Sequence, residues 1–85
     1  MGAVGNYEVV KTTLSTSSTT PVEEVVSAPT GKVILGTQVW ATNNDALPPT
    51  WIFNSDGTIT VTIAVINPTN TGTWDVYTTC AEMGN

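Results

Sequence analysis

The stretch from Thr58 to Asn67 constrains this chain more than any other, because Ile59, Val61, Ile63 and Val65 interleave there with Thr58, Thr60, Thr62 and Ala64. A period of two is the signature of a β-strand with one face in a core. The turn-forming Asn54-Ser55-Asp56-Gly57 precedes this stretch and Asn67-Pro68-Thr69-Asn70-Thr71-Gly72 follows it, so the strand belongs to an antiparallel meander.

Five further segments repeat the plan. Tyr7 to Leu14 sets Tyr7, Val9 and Lys11 on one face and Glu8, Val10, Thr12 and Leu14 on the other. Ser15 to Pro21 has only small hydroxylic residues before its proline, which predicts a solvated, mobile connection. Val22 to Ala28 reads as an edge strand: Pro21 stands at its entry, and Glu23 and Glu24 place a carboxylate on each face. After a Pro29-Thr30-Gly31 turn, Lys32 to Thr42 forms a strand whose Gly36 predicts a bulge and a change of facing. Thr50 to Phe53 is a short strand behind Pro48-Pro49. Thr73 to Cys80 alternates Trp74, Val76, Thr78 and Cys80 against Asp75, Tyr77 and Thr79. No helical period occurs. The expectation is an all-β, small antiparallel β-sandwich of about six strands, jelly-roll-like, spanning residues 7–81 between an N-terminal arm at 1–6 and a C-terminal tail at 82–85.

Composition narrows the function. Seven carboxylates face only Lys11 and Lys32, giving a net charge of −5, and a phosphate backbone needs the opposite. Nucleic acid is excluded as a partner. No apolar run approaches the ~18 residues of a membrane span, and the first residues have neither a basic n-region nor an apolar h-region, so neither membrane insertion nor export is expected. Charged residues are 11% of the chain while threonine supplies 17 positions, so the surface is built of hydroxyls. Such a surface suits extended strands and contact with neighbouring subunits.

The same inventory argues against an enzyme. Without histidine the commonest proton shuttle is missing, and Cys80 alone can make neither an intrachain disulfide nor a Cys/His zinc site. Asp45 and Asp56 stand in turn sequences, where Asp bonds to local backbone N–H groups. Glu23 and Glu24 lack the spaced oxygen ligands of a calcium loop. No catalytic residue, metal ligand or cofactor site is expected, and Cys80 is expected to be a buried, inert thiol. The aromatics carry more information. Trp74, in register with Val76, is expected in the core, as tryptophans of small sandwiches usually are. Trp51, Phe53, Tyr77 and Tyr7 are the candidate partner-binding residues, with Trp51 beside Pro48-Pro49 the first choice for an exposed contact.

Read together, Pro29-Thr30-Gly31-Lys32-Val33-Ile34-Leu35-Gly36, the Asn54 to Gly57 turn with its long Thr/Val/Ile strand, and Val76-Tyr77-Thr78-Thr79-Cys80-Ala81 resemble a small β-sandwich module of bacteriophage virion proteins and actinobacterial exported proteins. Tyr7 to Val10 and Val22 to Ser27 match the opening hairpin of that module. Ala28 stands where its exported members carry a first cysteine, and Thr37 where they carry a second glycine. The resemblance implies a structural protein of the virion, assembled in the host cytoplasm: a capsid decoration or cement protein bound to the major capsid protein or other virion subunits. A tail or fibre accessory module, or a carbohydrate- or receptor-binding sandwich, is the alternative. A homo-oligomer, trimeric or otherwise cyclic, is expected because a small core gains from shared burial.

Overall fold

The computed structural model describes residues 4–83. Among them are six strands and no helix: β1 (Val4–Thr16), β2 (Val22–Val26), β3 (Val33–Ala41), β4 (Thr50–Phe53), β5 (Ile59–Ile63) and β6 (Gly72–Met83). They form two three-stranded sheets, ordered β1-β6-β3 and β2-β5-β4, with every pairing antiparallel. The first strand thus pairs with the last and the second with the fifth. This nested winding is that of a jelly roll shortened to six strands, within the expected sandwich class. The meander expected around β5 stops at the β4–β5 hairpin, and β1 and β2, expected as an opening hairpin, lie in different sheets because each pairs with a distant strand.

The two central strands supply most of the core. Ile59, Val61 and Ile63 of β5, and Trp74, Val76, Thr78 and Cys80 of β6, are all buried. Leu14, Val22 and Ile34 on three of the edge strands are only partly buried against them. Each fully buried Val or Ile contributes roughly 1.5–3 kcal/mol, so β5 and β6 carry the greater share of the stability. Their polar groups are satisfied: the Trp74 indole N–H donates to the Leu47 carbonyl at 2.9 Å, and the Thr78 hydroxyl donates to the Val10 carbonyl at 3.3 Å. Gly72 opens β6 beneath this tryptophan. A Cβ there would stand 2.6 Å from Val65 Cγ1 and 2.8 Å from Trp74 Cη2.

Pairing between β1 and β6 runs further than the alternation in the sequence predicts. Val4 lies opposite Met83 and Gly5 opposite Glu82, so part of each segment expected to be an arm or tail is strand. Residues 1–3 and 84–85 of those segments lie outside the described residues. The reason is a bulge. Between Gly5 and Glu8 the register slips by one residue; Asn6 takes the left-handed conformation at φ 51° and its amide donates to the Glu82 carboxylate at 2.9 Å. A second bulge falls at Leu35, where Ile34 faces Cys80 and Gly36 faces Thr79, and the inward parity changes from Ile34 to Thr37 and Val39 as expected. In contrast β5 stops at Ile63, short of Asn67. Ala64 and Val65 stay buried, but the Val65 N–H turns to the Ser18 carbonyl at 2.9 Å. That bond, with one between the Ser17 and Thr71 hydroxyls at 2.9 Å, pins the Ser/Thr connection to the body of the fold.

With 13 and 12 residues at about 3.4 Å each, β1 and β6 draw the molecule out to 51 × 21 × 17 Å. The radius of gyration is 14.5 Å, against about 12 Å for a compact domain of this length. Two broad outer faces therefore surround a thin core.

The β4–β5 connection is a three-residue hairpin loop with glycine at its left-handed position. The Gly57 N–H donates to the Asn54 carbonyl at 3.0 Å, the Asn54 N–H to the Thr58 carbonyl at 2.8 Å, and Gly57 has φ 87°. Asp56 closes the turn by accepting from the Thr58 hydroxyl at 2.6 Å and from its backbone N–H at 3.1 Å. These bonds, the hydroxyl's first, hold its carboxyl below the ordinary value. A depressed carboxyl stabilises the fold above its unfolded pKa, about 3.9, and that stabilisation is lost as pH falls through the folded value.

Two outcomes follow for stability. Gly72→Ala should cost about 1–3 kcal/mol through overpacking, whereas Gly36→Ala, whose Cβ would have nothing within 4 Å, should stay within about 1 kcal/mol of the parent; urea titration of both checks the contrast. Asp56→Asn should lower the urea midpoint at pH 7 and converge on the parent as pH falls below 3.8; an unchanged gap down to pH 2 would contradict this role of Asp56.

Candidate functional site

The inward commitment of Trp74, Val76, Thr78 and Cys80 forces Asp75, Tyr77 and Thr79 onto the outer face of the β1-β6-β3 sheet. Register completes that face in rows. Val9, Thr79 and Gly36 make one, Lys11, Tyr77 and Gln38 the next, and Thr13, Asp75 and Trp40 the third. The bulge at Leu35 matters here, because it fixes the parity that turns Gly36, Gln38 and Trp40 outward.

Gly36 has no side chain to fill its row, and an open depression of about 530 Å³ results. Val9, Thr37, Gln38, Trp40, Tyr77 and Thr79 line it with Gly36. Trp40 is 57% exposed, Val9 is exposed as well, and Tyr77 is half-buried. The backbone beneath is fixed, since the Thr37 hydroxyl donates to the Tyr77 carbonyl at 3.0 Å. The charges at the border answer one another: Lys11 Nζ lies 3.6 Å from Asp75 Oδ2, and the Thr13 hydroxyl donates to Asp75 Oδ1 at 3.0 Å. The surface on offer is aromatic, hydroxylic and locally neutral. It suits an apolar or hydrogen-bonding partner better than an ion.

The four residues expected to bind a partner fall in three places. Tyr77 lies on this face, and Tyr7, 65% exposed, sits in the β1 bulge beyond Val9. Trp51 and Phe53 belong to the other sheet, on the edge strand β4, where they lie opposite Val61 and Ile59 and remain partly exposed. Trp40, absent from the expected set, is the most exposed tryptophan. The glycine at 36 is the one signal that could have found it, because a bulge there reverses which of Val39 and Trp40 points inward.

The carboxylates are dispersed. Glu23 pairs with Thr62 and Glu24 with Val61, so their side chains leave opposite faces of β2. Asp56 is engaged in its turn, and Glu8 accepts from the Lys32 ammonium at 2.6 Å. Among the described residues no three His, Cys, Asp or Glu side chains stand together as a metal site would require. Cys80 is fully buried, its sulfur 3.7 Å from the Thr78 hydroxyl, as expected of a core thiol.

Comparison of the chain with protein-family models, with curated proteins and with solved structures finds no match in any of the three.

Proposed function

We propose that this protein is a non-enzymatic structural subunit of a phage particle, a capsid decoration or cement protein that adheres to the shell through the outer face of β1-β6-β3. The observation that carries the reading is the Trp40–Tyr77 depression on a face whose border charges neutralise each other. Desolvating an ion is costly, whereas covering an exposed tryptophan and tyrosine is favourable. Aromatic anchors of this kind dominate the energetics of protein interfaces. The likeness of the chain to virion sandwich modules supplies the phage context, and the elongated slab with its thin core fits a molecule that spreads over a surface. Many copies on a symmetric lattice act through avidity even when each contact is weak. The major capsid protein is the partner on this reading, and the virion, assembled in the host cytoplasm, is the location; a tail or fibre position would use the same face.

A second reading rests on the polar lining of the same depression. Gln38 and Thr79 beside two aromatic rings also suit the stacking and hydrogen bonding of a neutral sugar.

Co-sedimentation with empty shells of the major capsid protein tests the first reading. Saturable binding at a fixed copy number is expected, weakened about 30-fold by Trp40→Ala, the cost of losing a hot-spot aromatic, and weakened also by Gly36→Val, which fills the depression. A chain that ignores shells but whose tryptophan fluorescence responds to neutral oligosaccharides would overturn it in favour of the second.

A further inference from the structure

A three-stranded sheet has two edges, and three of the four edges in this fold are guarded within the strand itself. β1 carries Lys11, Glu8 and the Asn6 bulge; β2 has Pro21 before it and Glu23-Glu24 within it; β3 is broken by the Leu35 bulge. Charges, prolines and bulges are the means by which natural sheets prevent edge pairing. β4 is the shortest strand and follows Pro48-Pro49, but it has none of them inside it. From Thr50 to Phe53 it is regular, uncharged and exposed throughout, with Ile52 63% and Phe53 53% accessible. In a chain of net charge −5, the segment from Leu47 to Phe53 carries no charge at all, so a pairing here sets no like charges directly opposite one another along the strand.

The hydrogen-bonding phase of this edge is determined. Asn54 donates its N–H to the Thr58 carbonyl, and bonded pairs alternate along an antiparallel ladder. Ile52, opposite Thr60, therefore spends its backbone groups on β5. The N–H and C=O groups of Trp51 and Phe53 point the other way, to the open edge.

We infer that two copies of this chain pair antiparallel through β4, with Ile52 opposite Ile52 of the second copy and Trp51 opposite Phe53 of the second copy. Two independent conditions select this register. A two-fold axis normal to the sheet keeps each side chain on its own face, so opposed residues must share facing, and Trp51 and Phe53 do, both lying opposite core residues of β5. The free backbone groups must also meet, and Trp51 with Phe53 are the residues that own them. Sliding the pair to oppose Trp51 with Trp51 would bring Pro49, which has no N–H, into the ladder. Opposing Phe53 with Phe53 would carry Trp51 past the strand into the hairpin loop. The chosen register makes four backbone hydrogen bonds, two Trp–Phe cross-strand pairs on one face and one Ile–Ile pair on the other. The product is a continuous six-stranded sheet, β2-β5-β4-β4-β5-β2. This assembly is independent of the phage reading, and it leaves the Trp40–Tyr77 face free.

The experiment is cysteine cross-linking together with sedimentation of the full chain. Position 52 would form a non-hydrogen-bonded pair with Cα atoms about 4.5 Å apart, within the range that a disulfide spans. Ile52→Cys should cross-link to a dimer under mild oxidation, whereas Val25→Cys, equally exposed on the outer face of β2, should not; the native Cys80 is buried and does not interfere. Ile52→Lys and Ile52→Glu should each weaken dimerisation about tenfold or more, with unchanged circular dichroism, and their equimolar mixture should dimerise again. A parent chain that stays monomeric at several hundred micromolar, an oligomer indifferent to Ile52→Lys, or cross-linking equal at positions 25 and 52 would overturn the inference.

Discussion

The packing of β5 against β6 is the interaction on which everything else in this molecule depends. Ile59, Val61 and Ile63 share one buried cluster with Trp74 and Val76 across the sandwich, and each lies at the centre of its sheet, where both neighbours exclude water. The edge strands β2 and β3 add one fully packed side chain each, Val26 and Val39, and their other inward side chains are only half-covered, so the edges are held as much by backbone ladders as by burial. Trp74 illustrates how tightly the centre is drawn. Its ring lies against the position where a Gly72 side chain would stand, and its indole N–H reaches the Leu47 carbonyl, tying the connection between the two sheets to the core.

That economy has a consequence for the exterior. A core drawn mainly from two strands leaves the outer faces to be made from what alternates with it, and here the alternating residues are chiefly threonines. Thr60 and Thr62 occupy the outward positions of β5, and Thr73 and Thr79 two of the four that alternate with the core on β6. Threonine favours the extended backbone through its β-branch and keeps the surface wettable through its hydroxyl, without a charge that a neighbour would have to desolvate. Ion pairs are correspondingly sparse and local: Lys11 with Asp75, and Lys32 with Glu8. Both are partly exposed and contribute little to stability. The first removes uncompensated charge from the face that carries Trp40 and Tyr77; the second lies off that face, since Glu8 is in register with the inward Cys80.

The parts of this architecture that were legible in the sequence are those governed by local rules. The alternation in β5 and β6 names the core directly, Asn54 to Gly57 names its hairpin loop, and Gly36 names the bulge. The lengths of β1 and β6 were not legible, because Asn6 resets the register by one residue and so interrupts the pattern that would otherwise have extended the strand. The tryptophans mark the same boundary between local and non-local information. Trp74 alternates with valine on a central strand and is buried. Trp40 follows the buried Val39 on a strand whose parity a bulge has reversed, and Trp51 faces inward on an edge strand and stays 37% exposed. Whether an aromatic becomes core or contact depends on strand order, which alternation alone does not encode. Half of the candidate face, Tyr77, was found for that reason, and Trp40 was not.

The geometry of the two surfaces links them. A two-fold axis normal to the β2-β5-β4 sheet leaves the same side of each copy uppermost, so a dimer joined through β4 presents both β1-β6-β3 outer faces in one direction. A dimer joined face to face would instead consume those surfaces. On the proposed pairing and the proposed function, edge pairing would convert one weak adhesive face into two that point toward a common support. The second contact then forms at the high effective concentration set by a rigid connection rather than by free diffusion. On the proposed pairing, a thin sandwich with a small core would gain stability and reach from the same four residues, Thr50 to Phe53, which is a physical reason for that strand to lack the charges and bulges that lie within the other three edges.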